Sequence, residues 1–358
     1  ILDNTPNWAR NSQQWATSTQ GGAELAAIQQ FVAGLKQQAN IGLMMFTNLG
    51  SKVDGAYVRF GVRDMSVQDN SLAFQSIVSS INPNQSDEKV CQNCGDYANA
   101  LYETWLYFTG ASASWAGMDP LADYAGNAGT KQDNLTASAK GLSIGFAYKG
   151  SSNGSGYNSP IGNGCAKSYV IFIGNNVRGG LPPTPGATDP ASTTLTKYKY
   201  SSSPDVPSAW ARFLQLRPDL GAGSAAAAIG SVTTYTIDTY NAQPNASFTA
   251  MMKNMARNGG GDYFQAGSQA AITTALNDIL SRIQAVNSVF ASVSLPVSVS
   301  VRGTYQNQVY LGMFRPDADA RPNWVGNLKQ YQLSADTSVS PPVVYLTDSL
   351  GAAVENKT

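Results

Sequence analysis

Tyr169-Val-Ile-Phe-Ile173, followed by Gly174-Asn175-Asn176, is the stretch on which the fold turns. Five apolar residues, mostly β-branched or aromatic and without polar alternation, spell a strand buried on both faces. Such strands belong to parallel sheets covered by helices, where function collects beyond the carboxyl ends of the strands. Gly174-Asn175-Asn176 falls at that place. So does Asp3-Asn4-Thr5-Pro6-Asn7, after the apolar stub Ile1-Leu2. Together with Cys94-Gly95-Asp96, these loops are predicted to meet at one rim.

The totals narrow the function. Lys+Arg and Asp+Glu number 23 each and charged residues are only 13% of the 358. A nucleic-acid binder or polybasic membrane binder needs excess positive charge, so neither is expected. No histidine occurs, which removes a Ser-His-Asp triad, a Cys-His pair and His-ligated zinc. No apolar run approaches the ~20 residues of a membrane helix, and no membrane insertion is expected. Low charge with much Gly, Ser, Asn, Gln and Tyr suits an exported protein. The chain starts without Met and inside what reads as a strand, so it is expected to be a fragment or mature piece. Cys91-x-x-Cys94 and Cys165 are disulfide candidates. A local Cys91–Cys94 bridge and a pairing of Cys165 with either remain open.

Outward from the central strand, helices and strands alternate. A helical pattern covers 8–36, with Gly21-Gly22 as a potential break. Ile41–Phe46 reads as a buried strand and Ala56–Phe60 as an edge or antiparallel one. Asp69 is placed as cap of a helix ending near Pro83, and Asp96 as cap of a helix from Tyr97 to Phe108, closed by Gly110. Residues 110–164 read as a surface insertion with little core of its own, and 177–205 as a Pro/Gly/Thr loop. Further elements follow: a helix at Ser208–Leu214, an alternating strand at Thr233–Ile237, a helix at Phe248–Ala256, a short strand at Asp262–Phe264, and an amphipathic helix through Ile272 and Val286. The expected fold is α/β, a doubly wound sheet flanked by helices over residues 1–290. A smaller β-rich segment, 291–358, has strands at Ser294–Val301, Gln308–Phe314, Leu328–Leu333 and Val343–Leu346.

Asp3-x-Thr5-x-Asn7 at a strand end, Gly95-Asp96 before a helix and Asn175 after the central strand resemble the three places of a von Willebrand factor A domain's metal site. There a hard divalent cation takes oxygen ligands, keeps some waters and leaves one position for a partner carboxylate. The resemblance makes Asp3, Thr5, Asn7, Asp96 and Asn175 candidate ligands, with Asn7 in place of a hydroxyl and Asn175 in place of a carboxylate. With two carboxylates left, no cofactor or only weakly bound Mg²⁺ or Ca²⁺ is expected.

A wider resemblance runs through Cys94–Phe108, Cys165–Asn175, Met255–Phe264, Asn287–Ser292 with Leu295-Pro-Val297, and Asn307–Pro316 with Trp324–Lys329. Together these resemble the PilC/PilY family of type IV pilus tip adhesins and assembly factors. That implies an extracellular protein, exported through the periplasm to the pilus tip. Its partners would be minor pilins, the tip complex and a surface or host ligand, and a C-terminal propeller would follow. Non-catalytic binding is the expected function. A force-bearing spacer without its own ligand site is the alternative, and no enzyme is expected. Trp115, in the insertion, is a possible contact residue, whereas Trp105 and Trp210 sit on apolar helix faces and are placed in the core. Asp317-Ala-Asp319 lacks the glycine and distal glutamate of a calcium loop and reads as a turn.

Overall fold

A computed structural model describes residues 1–9, 19–35, 39–47, 55–85, 88, 95–112, 121–124, 146–148, 156–161, 167–175, 181–200, 204–216, 231–239, 245–287, 290–294, 308–315, 325–337 and 343–348. Cys91, Cys94, Cys165, Trp115 and Asp317-Ala-Asp319 lie outside them. The chain forms two compact units, Ile1–Asn277 and Asp278–Thr358. The division falls inside one helix, ahead of the 290 boundary read from composition.

The first unit is built on strands β1 (Asn40–Phe46), β2 (Ala56–Asp64), β3 (Ser168–Asn175), β4 (Val232–Thr239) and β5 (Gly260–Ala266). β1 and β2 pair antiparallel, while β3, β4 and β5 run parallel in that order. The N-terminal stub joins the two groups. Leu2 bridges Met45 and Ile173, parallel to both, and Leu2 N donates to Met44 O at 2.8 Å while Asp3 N donates to Ile173 O at 3.0 Å. The resulting order, β2-β1-stub-β3-β4-β5, turns back on either side of the stub, as in a doubly wound α/β sheet of the von Willebrand factor A kind. The predicted fold class is therefore the observed one. Its rim lies where the stub, β3 and β4 end.

Helices α1 (Gln20–Ala33) and α2 (Gln68–Ser80) pack on each other, and α3 (Tyr97–Thr109), α4 (Pro190–Lys197), α5 (Val206–Leu216) and α6 (Ala246–Asn258) form a second group; α7 (Gln269–Asn287) closes the order. Strand side chains alternate between these groups. Along β4, Thr236 and Asp238 reach Met252 and Thr249 of α6, while Thr239 reaches Gln20 and Glu24 of α1.

Several sequence expectations change here. β4 reads as half-exposed because its threonines alternate with apolar residues, yet Thr234 and Thr236 are fully buried. The Thr236 hydroxyl donates to Met252 O at 2.9 Å, which lets a hydroxyl replace an apolar group under α6. Gly21-Gly22 does not break a helix but opens α1, which Thr19 caps. A Cβ on Gly21 would come within 2.4 Å of the Trp8 indole, so the glycine makes room for it. Asp69 lies in the first turn of α2, one residue inside its start, and gives no side-chain cap. The loop expected at 177–205 contains α4, whose Thr-rich sequence hides the two residues it buries, Ala191 and Leu195.

The 110–164 insertion is also less superficial than expected. Ala122, Asp123, Ala147, Tyr148 and Tyr157 are all buried. Asp123 lines the edge of β2: its N donates to Val58 O at 2.9 Å, its Oδ2 accepts from Gly61 N at 2.5 Å, and it pairs with Arg63 at 3.0 Å. Arg59, equally buried, pairs with Glu88 at 3.0 Å and donates to Leu121 O at 3.2 Å.

In the second unit, β6 (Phe290–Ser294), β7 (Gln308–Arg315), β8 (Val325–Asp336) and β9 (Val343–Thr347) form an antiparallel meander in sequence order. Among the described residues no helix interrupts these strands, as the change in sequence pattern after Ser292 predicts.

Removing one partner from a buried ion pair strands the other charge, at a cost of about 3–5 kcal/mol. Asp123→Ala should lower the unfolding free energy by that order. In a double-mutant cycle with Arg63→Met, the second substitution should recover much of the loss. Equal, additive losses in denaturant titrations would show that the pair does not pin the insertion to β2.

Candidate functional site

The three predicted loops do meet. Asp3 follows the stub, Asp96 precedes α3 and Asn175 ends β3, and all three are fully buried. Asp3 holds the junction. Its Oδ1 accepts from Thr5 N at 2.9 Å; its Oδ2 accepts from Asn175 N at 3.1 Å and from the Tyr97 hydroxyl. Asn175 Nδ2 donates back to Asp3 O. One carboxylate thus ties the stub, the start of α3 and the end of β3.

Local sequence makes this possible. Tyr97 begins α3, and its ring stacks on Phe172 with centroids 4.4 Å apart and meets Phe248 edge-on at 5.8 Å. Its hydroxyl crosses beside Gly174, where a Cβ would approach to 2.9 Å. At Gly95 a Cβ would meet Thr5 Cγ2 and the Phe46 ring, each at 2.9 Å, so this glycine lets the α3 loop touch the Asp3 loop. Asn4, unremarked in the sequence, secures β1: it donates to Phe46 O and Glu88 O at 3.2 and 2.8 Å and accepts from Phe46 N at 3.0 Å.

Asp96 caps α3 as expected. Its Oδ1 accepts from Ala98 N and Asn99 N at 2.9 and 3.0 Å, and its Oδ2 from Asn99 Nδ2 at 3.3 Å. Both candidate carboxylates are therefore engaged by N–H and O–H donors, and Asn175 Oδ1 is bonded to Gln20 of α1. Thr5 contributes its backbone N–H to Asp3, and Asn7 lies half-exposed in the turn Pro6–Ala9. A divalent ion held by Asp3, Thr5, Asn7, Asp96 and Asn175 would have to displace these bonds. As arranged, the set does not fit a resident metal.

The residues that sequence reading missed lie on the α1 side. Glu24 is fully buried; it accepts from Trp8 Nε1 at 3.1 Å and from the Thr239 hydroxyl at 2.8 Å. Gln20 Nε2 reaches Glu24 Oε1, Asn175 Oδ1, Thr239 O and Thr239 Oγ1. A polar pair at i, i+4 normally signals a solvated helix face, so nothing in the pattern marks these two as internal. Among the described residues, no group of three or more His, Cys, Asp or Glu side chains could hold a metal ion.

Burial governs the charges here. It raises the carboxyl of Asp3 against the pull of Tyr97 and Thr5, and raises Glu24 well above the carboxylate range against Thr239. It pushes Asp96 up to about 8, opposed by the amides of Asn99 and Ala98 and helped slightly by the charge of Asp189. Tyr97 is raised well above its ordinary value by burial and by Asp3, so its hydroxyl stays a donor.

No known family's profile and no curated protein matches the chain. Among solved structures, an aerotolerance-related membrane protein from Bacteroides fragilis NCTC 9343, crystallised with multiple mutations to serines, is similar over 77% of this chain and 94% of its own. The identity is 11% and the TM-score 0.36. A likeness of that size adds nothing to the strand order as grounds for the fold.

The sign of the Asp96 shift gives a pH dependence. Its folded value of about 8 lies above the ordinary 3.8, so the folded chain holds this proton more tightly between those limits. The associated stability is full below 3.8 and is lost as pH rises through about 8. Asp3 and Glu24, also raised, act in the same direction. Unfolding free energy should therefore fall from about pH 4 to about pH 8, and less steeply in Asp96→Asn, whose amide also caps a helix. Parallel slopes for the two proteins would exclude Asp96 as a source.

Proposed function

We propose that this chain is a non-catalytic binding module of the PilC/PilY type, an extracellular adhesin and assembly factor at the tip of a type IV pilus. The proposed partners are minor pilins of the tip complex and a surface or host ligand. The observation that carries this reading is the sealed rim. The acids that meet there are buried and bonded to donors, and a histidine-free chain has no imidazole to set beside a nucleophile. A rim so fixed offers a rigid platform, which favours binding because little order is lost on contact.

The insertion supplies the contact element in this reading. Its two described anchors are adjacent: Ala147 N donates to Asp123 O at 3.0 Å, and Tyr148 N reaches the same oxygen at 3.3 Å. The described residues that flank 125–145 therefore lie together at the β2 edge. Replacing 125–145 by a short Gly-Ser linker spares Asp123, Tyr148 and Tyr157. Beads coated with this variant should bind abiotic surfaces and cultured epithelial cells at least about tenfold less, with the thermal transition unchanged. Undiminished attachment would remove the insertion from the binding role, and Trp115→Ala tests that residue separately.

The force-bearing alternative has one observation in its favour. Leu2 sits between β1 and β3 with parallel bridges to both, a geometry in which tension along the stub shears several hydrogen bonds together. Single-molecule stretching with and without reductant separates the readings. Altered extension with unaltered attachment favours the spacer.

A further inference from the structure

Four acids are buried at or beside the rim: Asp3, Glu24, Asp96 and Asp238. The first three have both carboxyl oxygens bonded. Asp238 does not. Its Oδ2 accepts from the Thr249 hydroxyl at 2.5 Å and the Tyr263 hydroxyl at 3.1 Å, while its Oδ1 is buried without a partner. A buried carboxyl oxygen without a donor is an exception that calls for a reason. Asp238 also has an exposed cation close by. Lys253, one turn after Thr249 on α6, holds its Nζ over the Tyr263 ring, 5.1 Å from the centroid. It forms no ion pair with Asp238 among the described residues. Its charge is nevertheless felt there: burial raises the Asp238 carboxyl, and the hydroxyls of Thr249 and Tyr263 and the Lys253 ammonium oppose that rise.

We propose that Asp238, Tyr263 and Lys253 form a receptor for an arginine side chain of a partner protein. Tyr263 sets two attractions for a cation side by side, the face of its ring and the carboxylate that its hydroxyl holds. The Lys253 ammonium is a point charge and takes only the ring. A guanidinium is planar, stacks on an aromatic face and carries its donors in a fixed fork, so it can use both. In the complex it lies on the Tyr263 ring in place of Lys253 and donates to Asp238 Oδ1. Thr249 and Tyr263 keep the carboxylate in position through the other oxygen. Lys253, on a flexible exposed stem, is the stand-in that yields. Asp238 is the residue before the last of β4, at the sheet end where loops of this fold class carry contacts. The choice of a protein partner rests on the binding-module reading. The receptor uses none of residues 125–145, so attachment lost or kept when they are replaced leaves it untouched, and the titration below leaves the insertion untouched.

The full chain, isotope-labelled at its threonine methyls, is titrated with N-acetylarginine methylamide and followed by NMR at Thr249, which touches Asp238 directly. Expected is a saturable shift with a Kd of about a millimolar, as befits a single side chain cut from its protein. N-acetyllysine methylamide should bind at least about fivefold more weakly. Asp238→Asn, which keeps the shape and removes the charge, should weaken arginine binding by about tenfold or more. Lys253→Ala, at an exposed position, should tighten it by about twofold or more, because the resident cation no longer competes. The proposal is overturned if neither the parent nor Lys253→Ala shows a saturable shift, if lysine binds as well as arginine, or if a folded Asp238→Asn binds as the parent does. It is also overturned if free arginine binds about tenfold or more tighter than the blocked form, which would make the ligand a free amino acid. Should Asp238→Asn not fold, Lys253→Ala and the ratio of arginine to lysine binding decide.

Discussion

A carboxylate sealed from water without a cation must be satisfied by dipoles, and Asp3 imposes that requirement on the whole rim. Its two oxygens receive the amides of Thr5 and Asn175 and the hydroxyl of Tyr97. Each donor belongs to a different part of the chain, so the strand order, the start of α3 and the end of β3 are mutually dependent. Removing any one would leave a buried acceptor partly unmade, at a cost of about 1–3 kcal/mol. The aromatic stack of Tyr97 on Phe172 and the bare Cα of Gly174 are both consequences, because the hydroxyl reaches Asp3 only if the ring lies flat beside a residue without a side chain.

The same constraint separates the two sides of the sheet. On the α3 and α6 side, acids are bonded to hydroxyls and helix amides: Asp3 to Tyr97, Asp96 to the first turn of α3, and Asp238 to Thr249 and Tyr263. Those donors are numerous, and the acids sit at ends where backbone N–H groups point outward. On the α1 side, Glu24 lies one turn inside its helix, where the backbone donors are already used. It must draw on side chains alone, Trp8, Gln20 and Thr239. Glu24 thus depends on side-chain donors because of where along its helix it falls, while on the α6 side Asp238 keeps one oxygen, Oδ1, buried without a hydrogen-bond partner.

What the sequence made legible follows from the same division. Tyr169–Ile173 announces a doubly buried strand because nothing polar interrupts it, and Asp96 before an apolar stripe, with Gly110 after it, marks a helix with its cap and its left-handed stop at φ 69°. Those signals are local. Glu24 and Gln20 were illegible because their burial depends on Thr239, more than 200 residues away, and polar residues at helical spacing look solvated. Thr236 is illegible for a related reason: a hydroxyl satisfied by a helix carbonyl is indistinguishable in sequence from one facing water. The anchors of the insertion, Asp123, Tyr148 and Tyr157, stood among Gly, Ser and Ala with no period to reveal them. Their partners, the β2 backbone and Glu103, lie elsewhere in the chain.

The insertion meets a need created by the sheet itself. An exposed antiparallel edge is a template for pairing with other chains, and β2 is such an edge. Three of its outward backbone groups are satisfied by the neighbouring chain: Val58 O by Asp123 N, Gly61 N by Asp123 Oδ2, and Val62 N by the Tyr107 hydroxyl at 2.9 Å. Two inward-turned arginines add a further barrier, since a competing strand would have to break both buried ion pairs to register against β2. At the opposite edge β5 begins with two glycines, which weaken pairing without a cover. The anchors of the insertion thus close the sheet whatever the segment between them does. A protein that gains a long excursion at such a point keeps its fold closed through Asp123, Ala147 and Tyr148. Anchors that cover the edge by themselves are the physical condition under which one part of an insertion holds the body together and another takes up contact with a partner.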